Sequence, residues 1–259
     1  MKALAIEPHP ALNGARACIF DAGGTLVHPD WPRLSSIAAE VANSGFALEE
    51  LSLTFRTILT RVGIEMQDER FISSEEMKRP HWIFNRVYHE LGLDETICKD
   101  VMAHVTASHL QRHLWCVAEP SAPMVLSQLK QRGFLLGVIS NTEDGRLFDS
   151  LTASGIADIF DLLIDSQIVG YRKPEAAIFQ LALDKLGLDA HEATYIGDTY
   201  HVDALGARAA GLRGILLDPL DLYPESLCPR IKSLDELICG TRSFSPPKVT
   251  SSIPPSSLR

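Results

Sequence analysis

Basic side chains are in the minority in this 259-residue chain, with 24 lysines and arginines against 33 aspartates and glutamates and a net charge of −9. No long Lys/Arg cluster occurs either, which argues against a nucleic-acid-binding surface. No apolar run approaches the roughly 20 residues of a membrane-spanning helix. The five cysteines (Cys18, Cys98, Cys116, Cys228 and Cys239) are odd in number and widely spaced, with no Cys-x-x-Cys pair. Reduced, mostly buried thiols are therefore expected rather than a disulfide framework. Glu7, Pro8, His9 and Pro10 interrupt any signal-like apolar stretch before Cys18. Together these absences predict a cytoplasmic protein without nucleic-acid or membrane partners.

What is present is a change of grammar along the chain. Ala17-Cys18-Ile19-Phe20 reads as a buried strand that stops abruptly on Asp21, with Gly23 and Gly24 just behind it. From Arg33 to about Trp115 the apolar positions repeat at helical spacing, as in Ile83, Val87 and Leu91 or Ile97, Val101 and Val105. From Pro120 onward, helices alternate with short apolar strands at Leu135–Ile139, Asp161–Asp165, Ala193–Ile196 and Gly214–Leu217. Such alternation predicts an α/β fold, a Rossmann-like parallel sheet with helices on both faces. The first strand and the next sheet helix are separated by roughly ninety residues, where a βα loop has about 2–6, so the helical stretch reads as an insert. The expected division is a flexible arm at 1–14, a core from 15–32 and 117–240, an all-helical cap at 33–116, and a disordered Ser/Pro-rich tail at 241–259. Ser233-Leu234-Asp235-Glu236 reads as a capping box.

Ligands of open parallel sheets bind beyond the carboxyl ends of the strands. Asp21, Ser140 and Asp198 all fall at such ends. Four pieces stand in order: Asp21-Ala22-Gly23-Gly24-Thr25-Leu26, the strand ending Ser140-Asn141, Gly170-Tyr171-Arg172-Lys173-Pro174, and Gly197-Asp198-Thr199-Tyr200-His201-Val202-Asp203. In this order, with a helical insert after the first, the chain resembles the haloacid-dehalogenase-like (HAD-like) hydrolase superfamily from about Arg16 to Cys239. The insert is similar to that of the helical-cap phosphatase and dehalogenase branch.

That resemblance implies Mg²⁺-dependent hydrolysis of a small phosphorylated metabolite through an aspartyl-phosphate. Asp21 would be the nucleophile, with Lys173 and Ser140 as its catalytic partners. Ala22, Gly23, Ser140, Asn141 and Lys173 would meet the phosphoryl oxygens. Asp21, the Gly23 carbonyl and Asp198 would hold the metal, backed by Asp203 and Thr25.

The chain departs from the family at one position. The phosphatase branch carries a second aspartate two residues after the nucleophile, where it serves as acid and base. Gly23 stands there instead. General acid–base help is worth about 10²–10⁴-fold, so alkyl esters would suffer most. Three readings follow: a phosphatase that is slow or borrows a proton donor such as His28 or His201; phosphonatase- or dehalogenase-like C–X hydrolysis, for which the cap offers only Lys78 and Lys99 as Schiff-base lysines; and a catalytically weak or inactive binding protein. His104, His109 and His113 read as a polar helix face turned to solvent or substrate rather than a zinc site.

Overall fold

The computed structural model describes residues 8–43, 45–66, 68–72, 74–77 and 79–238. The expected tail at 241–259, the first half of the expected arm, Lys78 and Cys239 lie outside the described residues.

Strands β1 (Ala17–Phe20), β2 (Val27–Pro29) and β3 (Trp115–Ala118) frame the first part of the chain. Between β2 and β3 run α1 (Trp31–Ala42), α2 (Leu48–Glu65), α3 (Glu69–Ile72), α4 (Trp82–Glu90) and α5 (Glu95–Gln111). The rest alternates as α6 (Ala122–Gln131), β4 (Leu135–Ser140), α7 (Leu147–Ala153), β5 (Leu162–Asp165), α8 (Ser166–Val169), α9 (Ala176–Leu186), β6 (Ala193–Gly197), α10 (Leu205–Ala209), β7 (Arg213–Leu217) and β8 (Arg230–Ile231). A π-helical turn at Tyr200–Ala204 leads into α10.

Six strands form one parallel sheet in the order β5-β4-β1-β6-β7-β8. β1 lies in the middle, buried along its whole length because helices cover both faces. Phe20 pairs with Val138 on one side and Ile196 on the other. That register puts Asp21 between the ends of β4 and β6, beside Ser140 and Asp198.

The helical block has its own core. Leu34, Phe55, Ile58, Phe84, Val87, Tyr88, Val101 and Val105 are buried together, and Tyr88 donates its hydroxyl proton to the Leu34 carbonyl at 2.9 Å. Trp31, Phe55, Phe84 and Trp115 form a chain of ring contacts with centroids 5.3–6.4 Å apart.

Three local features differ from the sequence reading. Val27–Pro29 is a strand that the sequence reading does not contain, and it pairs antiparallel with β3 as a ribbon outside the main sheet. β8 is a further edge strand of two residues. The start of the chain is not a loose arm throughout: Pro10–Leu12 form a 3₁₀ turn, Leu12 is buried in the main core, and the His9 N–H donates to the Leu237 carbonyl at 3.0 Å. The capping box at Ser233 and Glu236 is formed.

Candidate active site

The strand ends converge on Lys173. Its ammonium is 2 % exposed and donates to Asp21 Oδ1 at 2.5 Å, Asp203 Oδ1 at 2.7 Å and the Tyr195 hydroxyl at 2.8 Å. The Tyr195 hydroxyl in turn donates to the Ile139 carbonyl at 3.1 Å. The second oxygen of Asp203 accepts the Thr199 N–H at 3.0 Å. Asp203 thus fixes the lysine from behind, and three acceptors hold the ammonium in place.

Asn141 is tied to the same lysine. Its side-chain amide pairs with the Lys173 backbone at both ends, accepting from the N–H at 2.8 Å and donating to the carbonyl at 2.9 Å. This pairing positions the lysine and uses one of the two amide N–H groups. Ser140 is buried at the end of β4, next to the loop that carries Ala22 and Gly23. The Ala22 carbonyl accepts from the N–H groups of Leu26 and Val27 at 2.8 and 2.9 Å, closing that loop. Thr25 is fully buried, and its hydroxyl has no hydrogen-bond partner among the described residues.

Two glycines shape the loop. Gly24 has a φ of +91°, and a Cβ there would lie 2.2 Å from Asp198 Oδ2, so only glycine allows this approach. A Cβ on Gly23 would stand 3.1 and 3.3 Å from ring carbons of Trp115. The space in which a second aspartate would begin is narrowed by an indole, which would have to give by a few tenths of an ångström.

One acidic oxygen from each of Asp21, Asp198 and Asp203 lies within 4.8 Å of the others. Burial pushes the Asp21 carboxyl up to about 6, Lys173 pulls it back only in part, and Asp203 pushes the same way as burial. Burial and the neighbouring charges of Asp21 and Asp203 raise Asp198 well above the carboxylate range, against opposing pulls from Arg56 and Lys173. Burial opposes the charge on Lys173 too, but Asp203 and Asp21 outweigh it and hold the ammonium above the ordinary lysine range. Three carboxylates around one ammonium leave an excess of negative charge. The oxygen-only donor set fits a hard divalent cation such as Mg²⁺.

Beside this centre, a cavity of about 390 Å³ separates α2 from the β2–β3 ribbon. Gly24 and Asp198 line its floor, Glu49, Ser52 and Arg56 of α2 one wall, and His28, Val117 and Glu119 the other. His28 Nε2 is 2.8 Å from Glu119 Oε2. His201 is not among the lining residues; its ring packs on Tyr200 with centroids 5.0 Å apart. Glu49, Ser52 and Arg56 escaped the sequence reading. Their spacing of three, four and seven is the available signal, a polar stripe beside the buried Leu51, Phe55 and Ile58.

His104 and His109 on α5 and His113 just beyond its end do not form one solvent- or substrate-facing face. His104 is exposed and bonded to the Asp100 carbonyl, whereas His109 and His113 are 4 % and 8 % exposed, where the helical block meets the loop after β4. His109 Nδ1 accepts the Leu114 N–H at 3.1 Å, so the neutral ring carries its proton on Nε2 and donates to Asp144 Oδ2 at 2.8 Å. His81 and His113 flank it with ring centroids 4.5 Å away, and the His81 N–H donates to Glu143 at 2.8 Å. Ligand atoms of His109, His113 and Asp144 are close enough for a metal. A metal on His109 Nε2 would need the proton on Nδ1, directed at an N–H group. The cluster fastens the helical block to the core.

The chain matches the haloacid dehalogenase-like hydrolase family over residues 15–211. It belongs to that family. It is 36% identical over 126 residues to haloacid dehalogenase-like hydrolase domain-containing protein 3 of Mus musculus, covering 48% of this chain and 49% of that one. Against glyceraldehyde 3-phosphate phosphatase of Pyrococcus abyssi it is 28% identical over 200 residues, covering 77% and 80%. The chain spans about half the length, or less, of the first curated relatives it matches. In fold it is similar to the HAD-hydrolase YfnB of Bacillus subtilis bound to magnesium, with a TM-score of 0.62, 20% identity, and coverage of 86% and 96%. It is also similar to the L-2-haloacid dehalogenase RSc1362, with a TM-score of 0.59, 22% identity, and coverage of 86% and 97%.

Proposed function

We propose that this hydrolase is a Mg²⁺-dependent phosphatase for a small phosphorylated molecule. The observation that carries the reading is the Asp21–Lys173–Asp203 chain with Asp198 beside it, at the carboxyl edge of a parallel sheet. Asp21 would attack phosphorus and become an aspartyl-phosphate, which water then hydrolyses. Lys173 holds the carboxylate in place and adds positive charge at the transferring group, and Ser140 with the Ala22 and Gly23 N–H groups would meet its equatorial oxygens. Asp21, Asp198 and the Gly23 carbonyl would hold the cation. Bound there, it would cancel the repulsion between carboxylate and phosphate.

The α1–α5 block would serve as the cap, and Arg56 and Ser52 would face the leaving group. The excess of carboxylates supports this reading over metal-free dehalogenation. A Schiff-base route finds little support: Lys99 is exposed on α5.

The test is phosphate release from p-nitrophenyl phosphate and acetyl phosphate, with and without Mg²⁺, by the wild type and Asp21→Asn. Turnover that needs both Mg²⁺ and Asp21 supports the phosphatase. Its absence on both substrates leaves the binding-protein reading in its place.

A further inference from the structure

We infer that His28, held by Glu119, is the proton donor and acceptor that replaces the missing aspartate. The inference rests on the phosphatase reading and specifies one of its residues.

In-line displacement by Asp21 puts the leaving oxygen on the far side of phosphorus, away from the strand end. The cavity between α2 and the ribbon adjoins the centre through Asp198 and Gly24 in its floor, with His28 and Glu119 in its wall. Position 23 is glycine and brings no side chain to this space, and the Trp115 ring lies 3.1 Å from where its Cβ would be. β2 pairs with β3 through His28 and Val117, and Glu119 follows two residues after Val117. His28, Val117 and Glu119 thus share one face of a hydrogen-bonded ribbon, which fixes the imidazole against the cavity.

The hydrogen bond from Nε2 to Glu119 leaves Nδ1 as the ring atom with no partner among the described residues. A carboxylate behind an imidazole orients the ring. The hydrogen bond to His28 holds the Glu119 carboxyl below its usual range despite partial burial. The other charges facing the cavity are Asp198, Glu49 and Arg56.

The proton balance closes. As the Asp21 oxygen–phosphorus bond forms and the ester oxygen–phosphorus bond breaks, the departing alkoxide takes the proton on His28 Nδ1. The neutral ring then accepts a proton from the water that attacks the aspartyl-phosphate. That step releases phosphate, frees the Asp21 carboxylate and restores the imidazolium. One water is consumed per ester.

A purely structural His28–Glu119 pin would not distinguish between leaving groups. The test uses the full chain with Mg²⁺ and compares kcat/KM for ethyl phosphate and acetyl phosphate in the wild type, His28→Asn and Glu119→Gln. General acid–base help of about 10²–10⁴-fold is at stake. His28→Asn is expected to lower both rates, the ethyl ester by at least about tenfold more, because only an alkoxide needs the proton. Glu119→Gln, which weakens the hold on the ring, should lower the ethyl phosphate rate several-fold more than the acetyl phosphate rate. If His28→Asn does not fold, Glu119→Gln alone decides.

Equal losses on both substrates in either variant, no loss, or a wild type that hydrolyses acetyl phosphate but not ethyl phosphate would each overturn the dyad and leave the phosphatase standing. A wild type without Asp21-dependent turnover on either substrate overturns both.

Discussion

The indole of Trp115 stands against the α-carbon of Gly23, so that a Cβ on the glycine would lie 3.1 Å from the ring. The two residues are far apart in sequence, yet they determine together what position 23 can hold. Trp115 is itself wedged against Phe55 and Phe84, with ring centroids 5.6 and 5.8 Å away, and has little room to yield.

Restoring the aspartate is therefore not a simple repair. Gly23→Asp is expected to destabilise the protein by about 1–3 kcal/mol, the usual range for overpacking, and to leave ester hydrolysis no faster. In a Trp115→Leu background the same change should cost less, with a coupling above about 0.5 kcal/mol in a double-mutant cycle followed by urea unfolding. Additive effects would mean that the ring does not compete for this space.

The crowded carboxylates predict a stability response to metal that needs no turnover. Mg²⁺ at a hundred times its Kd should stabilise the protein by about 2.7 kcal/mol, read as a rise in Tm that EDTA reverses. Asp198→Asn should lose most of that rise while folding normally without metal. An unchanged Tm in the wild type at any Mg²⁺ concentration counts against the cation site.

Lys173 carries a structural load besides its chemistry. Lys173→Met leaves Asp21 and Asp203 buried without their cation, and breaking a buried pair from one side costs about 3–5 kcal/mol. Urea unfolding in EDTA measures it, and the double variant Lys173→Met/Asp21→Asn should recover part of the loss. A single-variant loss below about 1 kcal/mol would contradict the cluster as described.

The junction at Asp144 gives a pH dependence whose direction follows from burial. Burial and the neighbouring His109 push His81 down to about 4, and burial lowers His113 as well. The unfolded chain then binds more protons, so these two histidines contribute stability above pH 6.5 that is lost as pH falls toward about 4. Glu143, raised by burial, works in the opposite direction. Burial alone would raise Asp144, but the bond from His109 and the nearby N–H and imidazoles hold it down to about 2, so its contribution fades only below the His81 window. His81→Gln should flatten the fall in unfolding free energy between pH 7 and 5. An equally steep fall in the variant would place the titration elsewhere.

Much of the core was legible because its signals are local. Apolar runs such as Leu135–Ile139 become strands wherever helices cover both faces, and their carboxyl ends fall side by side whatever the detail of the loops. The ribbon was not legible: β2 has three residues, one of them Pro29, and its partner β3 lies beyond the whole helical block. The role of Asn141 depends on the Lys173 backbone, and the burial of His109 on Asp144, contacts that no periodicity encodes. Trp115 was invisible at Gly23 for the same reason, since a glycine shows which side chain is lacking but not what fills the gap.

The ribbon has a mechanical consequence. The chain enters the helical block through β2 and leaves it through β3, and these same two short strands carry His28 and Trp115. Any swing of the block would act on both residues as a crank acts on its shaft, turning the imidazole and the indole together with the entrance they border. Access to Asp21 and the furnishing of the space above it are thereby geared to a single part.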